Sequence, residues 1–173
     1  RVDGYKIFNE TIKAGLENNT SHYFYGNSEE VINKLIATLK GRYSNINIAG
    51  YNCPPMDSAE SLSSRYYQEL FSEIDPDIIW VSLGLPKQEK VIHNLQKSKK
   101  LSSNLVGIGF AIEWVAGTKV KAPELLANIG LEWVFRLIQE PKRLYKRYLI
   151  DNSFFIIYFV KQMIINDKEV KTK

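Results

Sequence analysis

Four short apolar runs, each reaching a glycine and followed by an amphipathic stretch, restrict what this 173-residue chain can fold into. His22 to Tyr25 runs into Gly26, Asn47-Ile48-Ala49 into Gly50, residues 77–83 into Gly84, and Leu105 to Ile108 into Gly109. Between them the apolar residues switch to helical spacing. Val31, Leu35, Ile36 and Leu39 follow a start at Asn27 or Ser28 and a stop at Gly41. Leu62, Tyr66, Leu70 and Ile74 follow a start at Ser58, and a third helix runs to about Gln96. A further amphipathic helix over residues 4–18, with Ile7, Phe8, Ile12 and Leu16, precedes the first run. Strands separated by helices of about 10–15 residues predict βαβ crossovers. The expected fold is therefore α/β: a doubly wound, mainly parallel, Rossmann-like sheet with helices on both faces.

Such sheets bind ligands beyond the carboxyl ends of their strands. Glycine there tolerates φ > 0 and lets a ligand approach the backbone. Gly26, Gly50, Gly84 and Gly109 at one edge predict a nucleotide or phosphate site, with Tyr51 and Ser82 beside it. No GxGxxG and no GxxxxGK[ST] occurs, so neither a dinucleotide fingerprint nor a Walker loop supports the prediction. The net charge of +4 and a pI near 9.0 suit an anionic partner: phosphate, nucleic acid or an acidic membrane surface. The single cysteine, Cys53, excludes an internal disulfide and a cysteine-based zinc cluster, and reads as an idle thiol. His22 and His93 have no metal-site spacing, so no metal is expected.

The segment WVSLGLPKQEK, Trp80–Lys90, passes from a buried strand to dense polarity. A turn needs Gly84 or Pro86; it does not need Lys87, Gln88 and Glu89 in succession. Pro86 fits the first turn of a helix, where its missing N–H costs nothing. The N-terminus of that helix suits a phosphate, Lys87 adds charge, and Gln88 and Glu89 are placed to hydrogen-bond a ligand. The alternative for Glu89 is a helix-start carboxylate that satisfies backbone donors.

After residue 110 no strand is evident, and after Gly117 the character changes. Helices are expected over 123–140, started by Pro123, and over 142–166, giving an incomplete α/β core at 1–121 and a helical appendage at 122–173. Arg136, Arg143 and Arg147, with Lys142 and Lys146, concentrate positive charge there, whether for an anion or as a solvated face. Phe154 to Val160 is apolar all round but too short, even with Met163-Ile164-Ile165, to span a bilayer. It reads as a core helix, a homo-oligomer contact or an interfacial anchor.

Three blocks together resemble the WecG/TagA/CpsF glycosyltransferases. Gly84-Leu85-Pro86-Lys87-Gln88-Glu89 is similar to that family's G-x-P-x-Q-E signature. Gly107-x-Gly109-Phe110, Glu113, Ala116-Gly117 and Lys121-Ala122-Pro123 resemble its second block. Gly130-Leu131-Glu132-Trp133, Arg136-Leu137, Glu140-Pro141, Arg143 and Arg147-Tyr148 resemble its third. Glu113 stands where Asp is usual, Lys121 where Arg is usual, and Asp3 where a small or hydroxyl residue is frequent.

The resemblance implies transfer of a sugar, N-acetylmannosamine, its uronic acid or glucose, from a UDP-sugar to a polyprenyl-diphosphate-linked acceptor. It implies inversion, no essential metal, no cofactor beyond the donor substrate, and a peripheral place at the cytoplasmic face of the cell membrane. With that donor, Gln88 and Glu89 suit hydrogen bonds to uracil or ribose, the C-terminal basic residues suit the acceptor diphosphate or anionic lipid head groups, and the resemblance puts the catalytic base upstream of Arg1. Two other readings stay open: a UDP-sugar-binding fragment without turnover, and a nucleic-acid-binding α/β module suggested by the basic pI and the run LYKRY. The second gives the strand-end glycines no purpose, so no nucleic acid is expected as partner.

Overall fold

A computed structural model describes residues 3–98 and 101–146, with residues 150, 153–155, 158, 161 and 162 beyond. The chain divides into two compact units, Arg1–Val120 and Lys121–Lys173.

The first unit runs α1 (Gly4–Gly15), β1 (Ser21–Gly26), α2 (Glu29–Arg42), β2 (Asn47–Asn52), a 3-10 turn (Ser61–Ser63), α3 (Arg65–Ile74), β3 (Ile78–Ser82), α4 (Lys87–Lys97), β4 (Asn104–Gly107) and α5 (Ala111–Val115). The strands form one all-parallel sheet in the order β2-β1-β3-β4. The expected α/β architecture is the observed one.

Strand alternation sorts the core into two layers. Phe24 and Trp80 face α1, α2 and α5, packing with Phe8, Ile12, Ile32, Leu35, Leu39 and Ile112. Tyr23, Tyr25, Ile79 and Val81 face the opposite way, onto Leu62, Phe71, Val91 and Leu95 from the 3-10 turn, α3 and α4. Burial on both faces is why β1 and β3 read as continuous apolar runs. Phe8 meets Trp80 edge-on with ring centroids 4.7 Å apart, and Phe71 meets Tyr25 in the same way at 5.0 Å.

Several local expectations are corrected. Helix α2 passes through Gly41, which faces open space, and ends when the Tyr43 N–H donates to Leu39 O. The Ser58 helix is split: Ser58 Oγ accepts from the Ser61 N–H, but extended Ser64 separates the 3-10 turn from α3. Tyr66 is consequently exposed, and Phe71 is the buried residue of α3. Strand β4 stops at Gly107, and residues 108–110 turn directly into α5.

Gly50 lies inside β2 rather than at its end. The ladder slips there, pairing His22 with Ile48 but Tyr23 with Gly50, so Ala49 bulges out. A Cβ on Gly50 would stand 2.8 Å from Cε2 of the Tyr23 ring. Gly26 is similarly committed, because a Cβ there would stand 2.4 Å from Ser82 O. Both glycines are explained by chain meeting chain.

The second unit contains α6 (Glu124–Asn128), α7 (Glu132–Gln139) and α8 (Pro141–Tyr145). The single helix expected over 123–140 is broken by Gly130 at φ +78°. Arg136 lies in the last turn of α7, half-buried, and Arg143 falls within α8. Most of the segment expected to be helical over 142–166, including Arg147, lies outside the described residues. Among the described residues no helix is long and apolar enough to cross a membrane.

Two consequences are measurable. Gly50→Ala must push a buried ring or the bulge aside, and should cost about 1–3 kcal/mol in urea unfolding. Buried His22 accepts a hydrogen bond from Trp80 Nε1 on Nδ1 at 3.2 Å, which requires that nitrogen to be unprotonated. Burial lowers its pKa to about 4, with Asp77 opposing more weakly. The unfolded chain, with His near 6.5, therefore binds a proton that the folded chain refuses between those values. Stability is complete above about pH 6.5 and should fall by roughly 1.4 kcal/mol per unit as pH drops towards 4. His22→Gln should remove this limb of the profile.

Candidate functional site at the carboxyl edge

From β1 the chain steps outward to β2 across one face, then returns past β1 to β3 across the other. The crevice between the carboxyl ends of β1 and β3 is thus the point where the winding reverses. Asn27, immediately after β1, holds φ +67°, and its Nδ2 donates to Ser82 Oγ at 3.2 Å. Ser82 Oγ donates in turn to Gly109 O at 2.9 Å. One hydroxyl thereby ties together the ends of β1, β3 and the turn after β4.

The Gly107–Gly109 turn rests on Gln88. A Cβ on Gly107 would be 3.1 Å from Gln88 Nε2, and one on Gly109 would be 3.4 Å from Gln88 Oε1. Gln88, only 6% exposed, donates through Nε2 to exposed Glu89 Oε1 at 2.8 Å. Gln88 Oε1 is buried without a hydrogen-bond partner. An amide oxygen left in that state costs about 1–3 kcal/mol, and it would accept a hydrogen bond from a donor brought to the crevice.

Pro86 occupies the N-cap of α4 rather than its first turn, and Gly84 O accepts from the Gln88 N–H at 2.9 Å. Gly84 and Pro86 are exposed at this edge. Lys87 stands near Asp57. The Ser61 hydroxyl and Ser58 N–H hold the Asp57 carboxyl below its ordinary pKa, with the Lys87 charge a smaller influence. Phe110 caps α5 and meets Trp114 edge-on at 5.4 Å, and Glu113 lies in that helix's first turn.

Beside the crevice an open cleft of about 530 Å³ lies beyond β1 and β2. Asn27, Ser28, Glu29, Tyr51, Asn52, Cys53, Pro54, Pro55 and Met56 line it. Burial, and then the neighbouring Glu29 carboxylate, raise the pKa of the Cys53 thiol, so it is held protonated and unsuited to nucleophilic attack. Asn52 Oδ1 is buried and has no hydrogen-bond partner.

Gly26, Ser82, Gln88, Glu89 and Gly109 thus form one connected group, with Tyr51 in the adjoining cleft. Arg136 and Arg143 belong to the second unit. Sequence reasoning missed Asn27 as a link, Asn52 and the Pro54–Met56 rim. Their signal was weak: an asparagine after a strand reads first as a turn or cap residue.

Comparison with known proteins adds identity to geometry. Residues 1–169 match the family described as Glycosyl transferase WecG/TagA/CpsF. The chain is 30% identical over 151 residues to an N-acetylglucosaminyldiphosphoundecaprenol N-acetyl-beta-D-mannosaminyltransferase of Bacillus subtilis, covering 86% of this chain and 56% of that protein. It is 29% identical over 144 residues to a Staphylococcus aureus protein of the same description, covering 83% and 54%. The chain therefore spans about half the length of the curated relatives it matches.

Proposed function

We propose that this chain, which belongs to the WecG/TagA/CpsF glycosyltransferase family, binds a UDP-sugar for transfer to a polyprenyl-diphosphate-linked acceptor. The observation that carries this reading is the polar group at the winding reversal, where Asn27, Ser82 and Gly109 are joined and Gln88 presents an unsatisfied buried acceptor. The relatives' description supplies the acceptor class, a diphosphoundecaprenol-linked sugar, and an N-acetylmannosamine-type donor sugar; glucose is the other donor sugar considered.

The reaction is a single inverting displacement. The acceptor hydroxyl oxygen attacks the anomeric carbon while the bond from that carbon to the UDP oxygen breaks, and a base takes the hydroxyl proton. The base is not assigned to a residue of this chain. Lys87 and the start of α4 stabilise the departing diphosphate without a metal ion. Arg136, Arg143 and Arg147 hold the acceptor diphosphate, for which the guanidinium fork is suited. The enzyme works peripherally at the cytoplasmic face of the membrane. Exposed Phe154, Phe155 and Tyr158 supply apolar surface for that contact or for a homo-oligomer.

Calorimetry with a metal chelator present tests this reading. UDP should bind at least tenfold more tightly than ADP or GDP, and Gln88→Ala should weaken donor binding by more than tenfold, about 1.4 kcal/mol, with the melting temperature nearly unchanged. Equal affinity for the three nucleotides, or strict dependence on magnesium or manganese, would overturn it. Binding without transfer would leave this chain as a donor-binding module.

A further inference from the structure

We infer that the cleft beyond β1 and β2 receives the nucleoside half of the donor and that Asn52 reads the base, a deepening that rests on the UDP-sugar reading above. Charge gives the first argument. None of the cleft's lining residues is Lys or Arg, while Glu29 is among them, so the lining repels a diphosphate. A carboxylate does suit the two hydroxyls of a ribose, which donate hydrogen bonds to it. The diphosphate then lies towards Lys87 and the start of α4.

Shape and polarity give the second argument. Tyr51 is 38% exposed at the cleft and Met56 is 92% exposed, with Pro54 and Pro55 between them. An aromatic ring and an apolar rim suit a flat, weakly polar ring system better than a sugar. The sugar's several hydroxyls find their counterparts in the Ser82, Gln88 and Glu89 group at the other side of Asn27.

The third argument is the unsatisfied Asn52 Oδ1. The side-chain amide turns on a broad torsion, so it can bring both an acceptor and a donor edge to the cleft. That pair complements the imide of uracil: Oδ1 accepts from N3–H while Nδ2 donates to a flanking carbonyl. Cytosine puts a lone pair where uracil has that N–H.

Titration of wild type, Asn52→Leu, Asn52→Asp and Gln88→Ala with UDP and CDP decides the matter. Asn52→Leu should bind UDP at least tenfold more weakly and lose the preference for UDP over CDP. Its ligand-free melting temperature should be unchanged or higher, since it removes an unsatisfied polar atom. Asn52→Asp, which keeps an acceptor, should retain the preference; Gln88→Ala, on the sugar side, should leave the preference between these two sugar-free nucleotides unaltered. Should Asn52→Leu fold poorly, Asn52→Ala takes its place with the same expectations. A preference for UDP that survives in Asn52→Leu, or is lost in Gln88→Ala, overturns the inference and leaves the donor reading standing. A wild type that binds no uridine nucleotide overturns both.

Discussion

The architecture depends on the handedness of its crossovers. A strand followed by a crossover and a parallel strand winds right-handedly, so reversing direction across the sheet forces the helices to the opposite face. The chain reverses at β1, with β2 on one side of it and β3 on the other. Helices α1, α2 and α5 accordingly cover one face, and α3 and α4 the other. The same reversal splays the connections leaving β1 and β3 and opens a crevice between them. Ser82 is where that crevice is held to width: its hydroxyl accepts from Asn27 and donates to Gly109 O.

Gln88 links two sequence blocks into one packing unit. Gly109 reads from sequence as room for a ligand, but Gly107 of the same block gives its room to the Gln88 amide. A side chain at Gly107 would press on the residue that Pro86 and Gly84 deliver to the start of α4, and one at Gly109 would meet it in ordinary contact. The two blocks therefore constrain one another sterically, and a polar residue 94% withdrawn from solvent is tolerated because one of its ends is bonded to Glu89.

Periodicity made the fold legible. Doubly buried strands give unbroken apolar runs, and the helices give 3.6-residue spacing, so strand and helix types along Ser21–Gly107 were readable. What failed were local features decided at long range. The β2 bulge at Ala49 follows from the ladder partner His22–Tyr23, which lies far off in sequence. The break at Ser64 accompanies tertiary bonds: Tyr25 OH donates to Leu62 O at 2.6 Å, and Asn94 Nδ2 to Ser63 Oγ at 3.1 Å. These bonds fix the segment after the cleft rim, so the rim's residues were invisible as a site until the fold placed them. Gln88 and Ser82 were legible because their polarity sits where an apolar strand has just ended.

The two ends of the sheet treat polar groups differently. At the amino end of β1, Asp77 Oδ2 accepts from both the N–H and the hydroxyl of Ser21 at 2.7 Å, and Ser21 Oγ accepts from the Asp77 N–H at 2.9 Å. That closed exchange holds the Asp77 carboxyl below its ordinary pKa, the Ser21 bonds being the main cause. At the carboxyl end Asn52 Oδ1 and Gln88 Oε1 remain unsatisfied. An unsatisfied atom alone does not mark a site, because Ser103 Oγ, just before β4, is unsatisfied too. A hydroxyl carries donor and acceptor on one atom and is satisfied by a small rotation, whereas an amide carries them side by side on two atoms. Two such amides on either side of the Asn27–Ser82 link, one beside a cleft and one beneath a turn, leave recognition capacity that the folded chain itself does not use. Instability of about 1–3 kcal/mol per group is retained at the one edge where the winding leaves room for a ligand to relieve it.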